Sequence, residues 1–460
     1  MQNAKKRVTK DLTEGNIYKN FILYAIPLIL AALLSQAYNT IDAVIAGKYV
    51  GDYALGAIGA ASSISTFLST LFSGFSVGFS IYVARLFGRK DYARLKADII
   101  NVMLFLTACL MLVGLLCIVF CKPIFTFLRV DEEIRRDAML YFCITKAGFF
   151  VIVGNVALVQ ILNALGITGF SFYMSMLSAV LNIVGNIVSV TVFRMGIAGI
   201  ALSTVLSSAI VTIFYLLKLR ACFREMPAEK AAYHFSLRSV KESLRFSLPV
   251  CLQQGSMYFA GLVLSPITNG LGAAATTGYA VSIRFSSLCA TVYQNASKVV
   301  STYTAQSIGA GKTEQIRKGL FAGAVQSFVL VSPLLLSCVL FARPIASIFF
   351  TDGYTGEAYA YAVRFATLYL PFLLFNVINN LMHSFFRGMG ALGTLILSTS
   401  FGSIVRILLT LLLAPTMHID GIFFGMAAAW VAEAFLCVCI YLFRYRNEKM
   451  IQKRITEGIQ

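Results

Sequence analysis

The sequence predicts an all-α integral membrane protein whose twelve transmembrane helices form two six-helix lobes related by a parallel repeat. Three observations predict it. Of 460 residues, 58% are hydrophobic and only 13% are charged, with mean hydropathy +0.79, against roughly a quarter charged in soluble domains. Twelve apolar runs follow one another, each about 20–30 residues long, enough at ~1.5 Å per residue to cross a ~30 Å hydrocarbon core. Short motifs then recur in order at a nearly constant offset.

The first run, 18–46, carries Pro27, which removes a backbone hydrogen bond and is expected to kink the helix. The second, 54–83, runs into "ARLFGRKD", and the third covers 99–121. The fourth, 137–165, holds Lys146 and closes on "NALGITG". The fifth, 170–193, bears a polar stripe, and the sixth, 196–218, opens on "GIAGIAL". A polar segment, 219–245, divides the chain. The seventh run, 246–269, carries Pro249 where the first has Pro27, and the eighth, 274–305, runs into "AQSIGAGK". The ninth, tenth and eleventh cover 317–341, 356–388 and 391–413; the last, 418–442, contains Glu433.

The repeat is read from four matches. "AIPLIL" pairs with "SLPVCL" at an offset of 222, "ARLFGRKD" with "AQSIGAGK" at 221, "NALGITG" with "RGMGALG" at 224, and "GIALS" with "GIFFG" at 222. Six spans per half bring both halves in from the same side, so the repeat is parallel. The expected divisions are an N-terminal segment 1–17, a lobe 18–218, a linker 219–245, a lobe 246–442 and a tail 443–460. A cleavable signal is not expected, because about 17 mostly polar residues precede a run long enough to span.

The net charge of +18 invites a nucleic-acid reading, but Lys and Arg gather in alternate links: Lys5 to Lys10, Arg85 to Lys96, Lys218 to Arg245, Lys312 to Lys318, and the tail from Arg444. The positive-inside rule then places both termini and the linker in the cytoplasm of a plasma-membrane protein. No nucleic-acid partner is expected, only the bilayer and small molecules. The ten cysteines show no CxxC spacing and read as packing residues. There is no GxxxxGK[ST], and the linker is too short for an ATPase domain. Neither catalysis nor a bound metal or cofactor is expected, so energy comes from an ion gradient or a partner chain.

From about Asp11 to Arg444 the chain resembles the multidrug and toxic compound extrusion (MATE) transporters. The resemblance rests on "DLTEGNIYKNFILYAIPLIL" leading into "YNTIDAVIAGKYVGDYALGAIG", on "GRKD" and "GAGKTEQ" after the second and eighth spans, on "FFRGMG" and on "GIAGIAL". It implies two lobes facing across a central cavity, exporting amphipathic, often cationic compounds in exchange for H⁺ or Na⁺, and acting as a monomer. A lipid-linked precursor flippase, which shares this architecture, is the alternative; a non-transporting scaffold or receptor is the alternative of another class.

Residues three and four apart share a helix face, so Ser35, Tyr38, Asn39 and Asp42 form one polar stripe. A carboxylate facing lipid costs several kcal/mol, so the stripe should face protein or water. Asp42 matches the acid that the family uses for cation coupling; otherwise it caps the span or pairs with Lys146. Ser175, Ser178, Asn182 and Asn186 form a second stripe. The family often has Asp where this chain has Asn186, and Thr204 (or Ser203) falls near its hydroxyl ligand. Asp42, Asn182, Asn186 and Thr204 would then surround the coupling ion, or the last three serve as helix glue. H⁺ is favoured over Na⁺, because one carboxylate suffices for a proton provided Lys146 is not beside it.

In the second half Leu264 stands at the position equivalent to Asp42. Asn376, Asn379 (or Asn380), His383 and Arg387 form the stripe there. With Ser35, Tyr38, Asn39 and Ser178, the residues Asn376, Asn379 and His383 are the expected lining of the substrate cavity. Lys146, Arg284 and Glu433 are possible secondary charge sites, Glu433 either paired with Arg284 or Arg406 or acting as a second proton carrier.

Overall fold

A computed structural model describes residues 9–128, 130–227, 236–350 and 356–459. Residues 1–8 of the N-terminal segment, 228–235 of the linker and Gln460 of the tail lie outside the described residues, as does the side chain of Asn39. Among the described residues there is no strand, and almost all are helical.

Each expected span coincides with a helix or a helical run. In the first half these are Ile17–Val50, Asp52–Gly88, Tyr92–Val119, the pair Glu132–Ala147 and Phe149–Ala164, Thr168–Val192, and Gly196–Glu225. In the second half they are Leu237–Gly270, Ala273–Gly309, Ile316–Leu340, Glu357–Met389, Leu392–Met417 and Ile419–Arg444. Helix runs through Pro27, inside Ile17–Ile45, without interruption.

By length and apolarity, nine of the described helices can cross a membrane, or ten if the fourth run, bent by 52° at Gly148, counts as one span. The expected count of twelve exceeds this because the seventh and eighth runs, though 34 and 37 residues long, carry buried polar side chains such as Gln253, Thr268, Ser282 and Asn295. Three of these side chains bond the preceding turn: Thr268 Oγ1 donates to the Leu264 carbonyl, Ser282 Oγ to that of Gly278 and Asn295 Nδ2 to that of Thr291. A polar residue satisfied by the preceding turn costs far less in apolar surroundings than an unpaired one.

The chain packs as two compact units, one comprising Leu30–Cys251 with residues 9–11, the other Leu12–Ile29 with Leu252–Gln460. In the first, the second run packs on both arms of the bent fourth run, and the sixth packs on the fourth and fifth. Its core gathers Ala54, Ala57, Phe125 and Phe142. In the second, the eighth run packs against the ninth and tenth, and the eleventh lies along the twelfth. Phe365, Phe385, Phe386 and Phe423 are fully buried there. All ten cysteines are unbridged.

Candidate cation-coupling site

The site forms where two helices change pitch. The first run ends in a π turn, Ala46–Val50, and the fifth in another, Val188–Val192. Such turns insert one extra residue and re-aim the side chains beside them, often at functional sites. Asp42 lies just before the first and Asn186 just before the second. Ala46 and Val190, one from each π turn, pack with Ile200 of the sixth run in one buried apolar cluster.

Asn186 Nδ2 donates to Asp42 Oδ1 at 2.8 Å. Asn182 sits beside both. Its amide satisfies its neighbours best with Nδ2 toward Asp42, 2.7 and 2.9 Å from the two carboxylate oxygens, and Oδ1 accepting from Thr204 Oγ1 at 3.2 Å. Thr204 thus joins the group, while Ser203 turns away to the Gly199 carbonyl and Ser189. Asn186 is fully buried, and its Oδ1 has no hydrogen-bond partner. The four residues hold one carboxylate, two amide oxygens and one hydroxyl within a few ångströms, with one formal negative charge.

Runs five and six come this close because of Gly199. A Cβ there would stand 2.7 Å from Ser189 Oγ, so any side chain would push the runs apart just below Thr204.

Asp42 does not cap the first helix, which continues beyond it. Lys146 does not serve as its partner either. That side chain is buried with its Nζ 4.4 Å from the Phe149 ring centroid and 5.1 Å from that of Phe142. Two aromatic faces stabilise the cation there. Tyr38 and Tyr141 lie within electrostatic range of Asp42, and Tyr38 bonds Ser35 on its own helix. Ser178 stands one turn before Asn182, partly buried. Tyr141 was not legible, because it belongs to a helix whose face toward the site depends on the bend at Gly148.

In the second unit the expected stripe is divided between two groups. Asn376 Nδ2 donates to Tyr293 Oη at 2.9 Å. Asn379 Nδ2 donates to the Trp430 carbonyl at 3.0 Å and Glu433 Oε2 at 3.3 Å, and His383 Nε2 lies 3.2 Å from Glu433 Oε1. Glu433 therefore faces His383 and Asn379, not Arg284 or Arg406. The reason is helical phase: Glu433 packs against Gly402, where a Cβ would come 2.6 Å from Oε2, while Arg406, one turn on, donates to Tyr279 Oη at 3.0 Å. Arg387 bonds the His383 carbonyl and Ser384 on its own helix. Leu264, equivalent to Asp42, is buried.

One further charged cluster escaped the sequence reading. In the first unit Asp98 is bonded by Tyr82 at 2.6 Å and by Arg94, which also pairs with Glu242. Its members lie 4 to 160 residues apart; only the Arg94–Asp98 pair has a spacing a sequence shows, and nothing in the spacing brings Tyr82 and Glu242 to it.

The family model described as MatE matches residues 27–188 and 249–412. The chain is 22% identical to "Probable multidrug resistance protein YpnP" of Bacillus subtilis, over 97% of this chain and 99% of that protein. It is 21% identical to "Multidrug export protein MepA" of Staphylococcus haemolyticus, over 96% of each. A solved structure described as an outward-facing conformation of a multidrug resistance MATE family transporter of the MOP superfamily superposes with TM-score 0.84 at 20% identity, covering 100% of both chains.

Proposed function

Because this chain belongs to the MatE family, a family of multi-pass membrane transporters and not of enzymes, we propose that it exports small amphipathic, mainly cationic compounds across the plasma membrane in exchange for protons. The observation that supports the reading is the Asp42 group: one ionisable carboxylate, bonded by Asn186 and Asn182, with no ion pair to a basic side chain among the described residues. Such a carboxylate takes up a proton on one side of the membrane and releases it on the other as the transporter alternates access. Protonation removes the only formal charge in the group, and the amide donors must then re-pair. That exchange of partners couples ion occupancy to helix position.

Sodium fits less well. A hard cation wants several oxygens and is held more tightly as anionic ligands accumulate; here two of the four ligands are amides and one is a hydroxyl. In magnitude, a proton moving down ~100 mV and one pH unit releases about 2.3 plus 1.4 kcal/mol. That is roughly a 500-fold gradient for a cargo without net charge, and about tenfold for one-for-one exchange with a monovalent cation, in which the voltage term cancels. The protein is expected to act as a monomer with both termini cytoplasmic.

Expression in cells stripped of their own multidrug pumps tests the function. Accumulation of a lipophilic cationic dye should fall in cells making the wild-type chain and recover when the proton gradient is collapsed. Dye accumulation equal to that of empty-vector cells, at matched protein levels, would contradict export and favour the flippase or scaffold readings.

A further inference from the structure

The second unit holds a cavity of about 380 Å³ between the seventh and eighth runs, at the end where they join through Leu271 and Gly272. Its lining is mixed and contains no acid: Leu264, Ala280 and Ile283 supply an apolar wall, and Arg284 stands among Ser265, Asn269, Tyr279, Thr268 and Thr276. The two threonine hydroxyls are spent on backbone carbonyls of their own hairpin, Leu264 for Thr268 and Gly272 for Thr276. Tyr279 differs. Its Oη accepts from Arg406 Nη2 at 3.0 Å, which leaves the phenolic proton free to donate and polarised by the guanidinium behind it. Arg284 lines the cavity, is exposed and has no carboxylate partner among the described ion pairs.

An arginine within a membrane-spanning helix is costly, and where it has no protein counter-charge it marks a site that something else completes. Arginine presents a planar fork of donors matched to a carboxylate. We propose that this cavity is a carboxylate-binding site for the cargo, with Arg284 as the charged partner and the Tyr279 hydroxyl, the Ser265 hydroxyl and the Asn269 amide as neutral donors. A carboxylate is the better match because one guanidinium, that of Arg284, lines the cavity itself, and its planar fork pairs with the two oxygens of one carboxylate. The volume accommodates that group and a small ring, at the lower end of ligand pockets. This inference rests on the exporter reading and extends it: beside cations, the cargo includes zwitterions, amphiphiles with an ammonium and a carboxylate. Such a cargo has no net charge, so exchange for one proton retains the voltage term.

The test is equilibrium binding to the full-length protein in nanodiscs of neutral phosphatidylcholine, at low salt and without any gradient. The probes are a fluorescent amphiphile bearing a tertiary amine and a carboxylate, and its methyl ester, read by anisotropy. Wild type should bind the acid at least about tenfold more tightly than the ester. Arg284→Gln should abolish that difference while leaving ester affinity unchanged, which also reports that the variant is folded. Arg284→Lys should keep part of the difference, and Tyr279→Phe should weaken only the acid. Equal affinities in wild type, no binding of the acid, or an unchanged acid-to-ester ratio in Arg284→Gln would overturn the proposal. Loss of gradient-driven export with the ratio intact would count against the exporter reading alone.

Discussion

At the scale of single residues, the account turns on what Asp42 can do that an amide cannot. Asp42→Asn keeps the shape and one hydrogen-bonding oxygen but cannot titrate. Gradient-driven efflux should fall by at least about 100-fold, the order lost when an essential proton carrier goes, with expression and dye binding retained. Efflux near wild type would return Asp42 to a structural role. Asn186→Asp probes the same group from the other side, because it places a second carboxylate where Nδ2 now lies 2.8 Å from Asp42. Two carboxylates so close cannot both stay ionised without a cation between them. Transport by this variant should become stimulated by sodium, and wild-type transport should not; the comparison is made at fixed pH in potassium and sodium buffers. Lys146, stacked on Phe142 and Phe149, should be separable: Lys146→Met is expected to leave the pH profile of transport in place, and a displacement of a full unit would show that the lysine does act on Asp42.

At the scale of helices, the sequence showed which residues share a face but not how far apart two faces stand. The stripes Ser35–Tyr38–Asp42 and Ser178–Asn182–Asn186 were readable because a period of 3.6 places them. That they meet was expected only from the resemblance to the MATE transporters; the π turns and the close contact at Gly199 that bring them together were not readable, since a π turn leaves no periodic trace. Glu433 shows the same limit. Its helix was clear, but its partner depended on the phase of three helices at once, and two nearby arginines offered the wrong answer. The contact at Gly199 carries a testable cost. Gly199→Val forces Ser189 aside, and overpacking of this kind costs about 1–3 kcal/mol; thermal unfolding of the detergent-purified protein should shift downward. Gly154→Ala, where a Cβ meets nothing within 4 Å, should leave it unchanged or raise it. Equal behaviour of the two variants would mean that the helix approach at Gly199 has no energetic weight.

At the scale of the whole molecule, the fold was legible to the extent that it is written in hydropathy and repetition. All twelve expected spans have helical counterparts, and the family match falls on two blocks of nearly equal length, 27–188 and 249–412. The repeat does not extend to the chemistry. Asp42 has Leu264 as its counterpart, and the second unit places its arginine-lined cavity beside that leucine. Orientation in the membrane follows from the basic links. In a background without native cysteines, Asn447→Cys should react with a membrane-impermeant thiol reagent only from the cytoplasmic side and Lys122→Cys only from outside; both positions are exposed. The most direct test of the central claim is transport by purified protein in proteoliposomes loaded with a fluorescent cationic substrate. A pH gradient imposed without sodium should drive exchange, a sodium gradient at equal pH should not, and Asp42→Asn should fail under both. Exchange that requires sodium and ignores the pH gradient would contradict the account and make Asn182, Asn186 and Thr204 ligands of a metal ion.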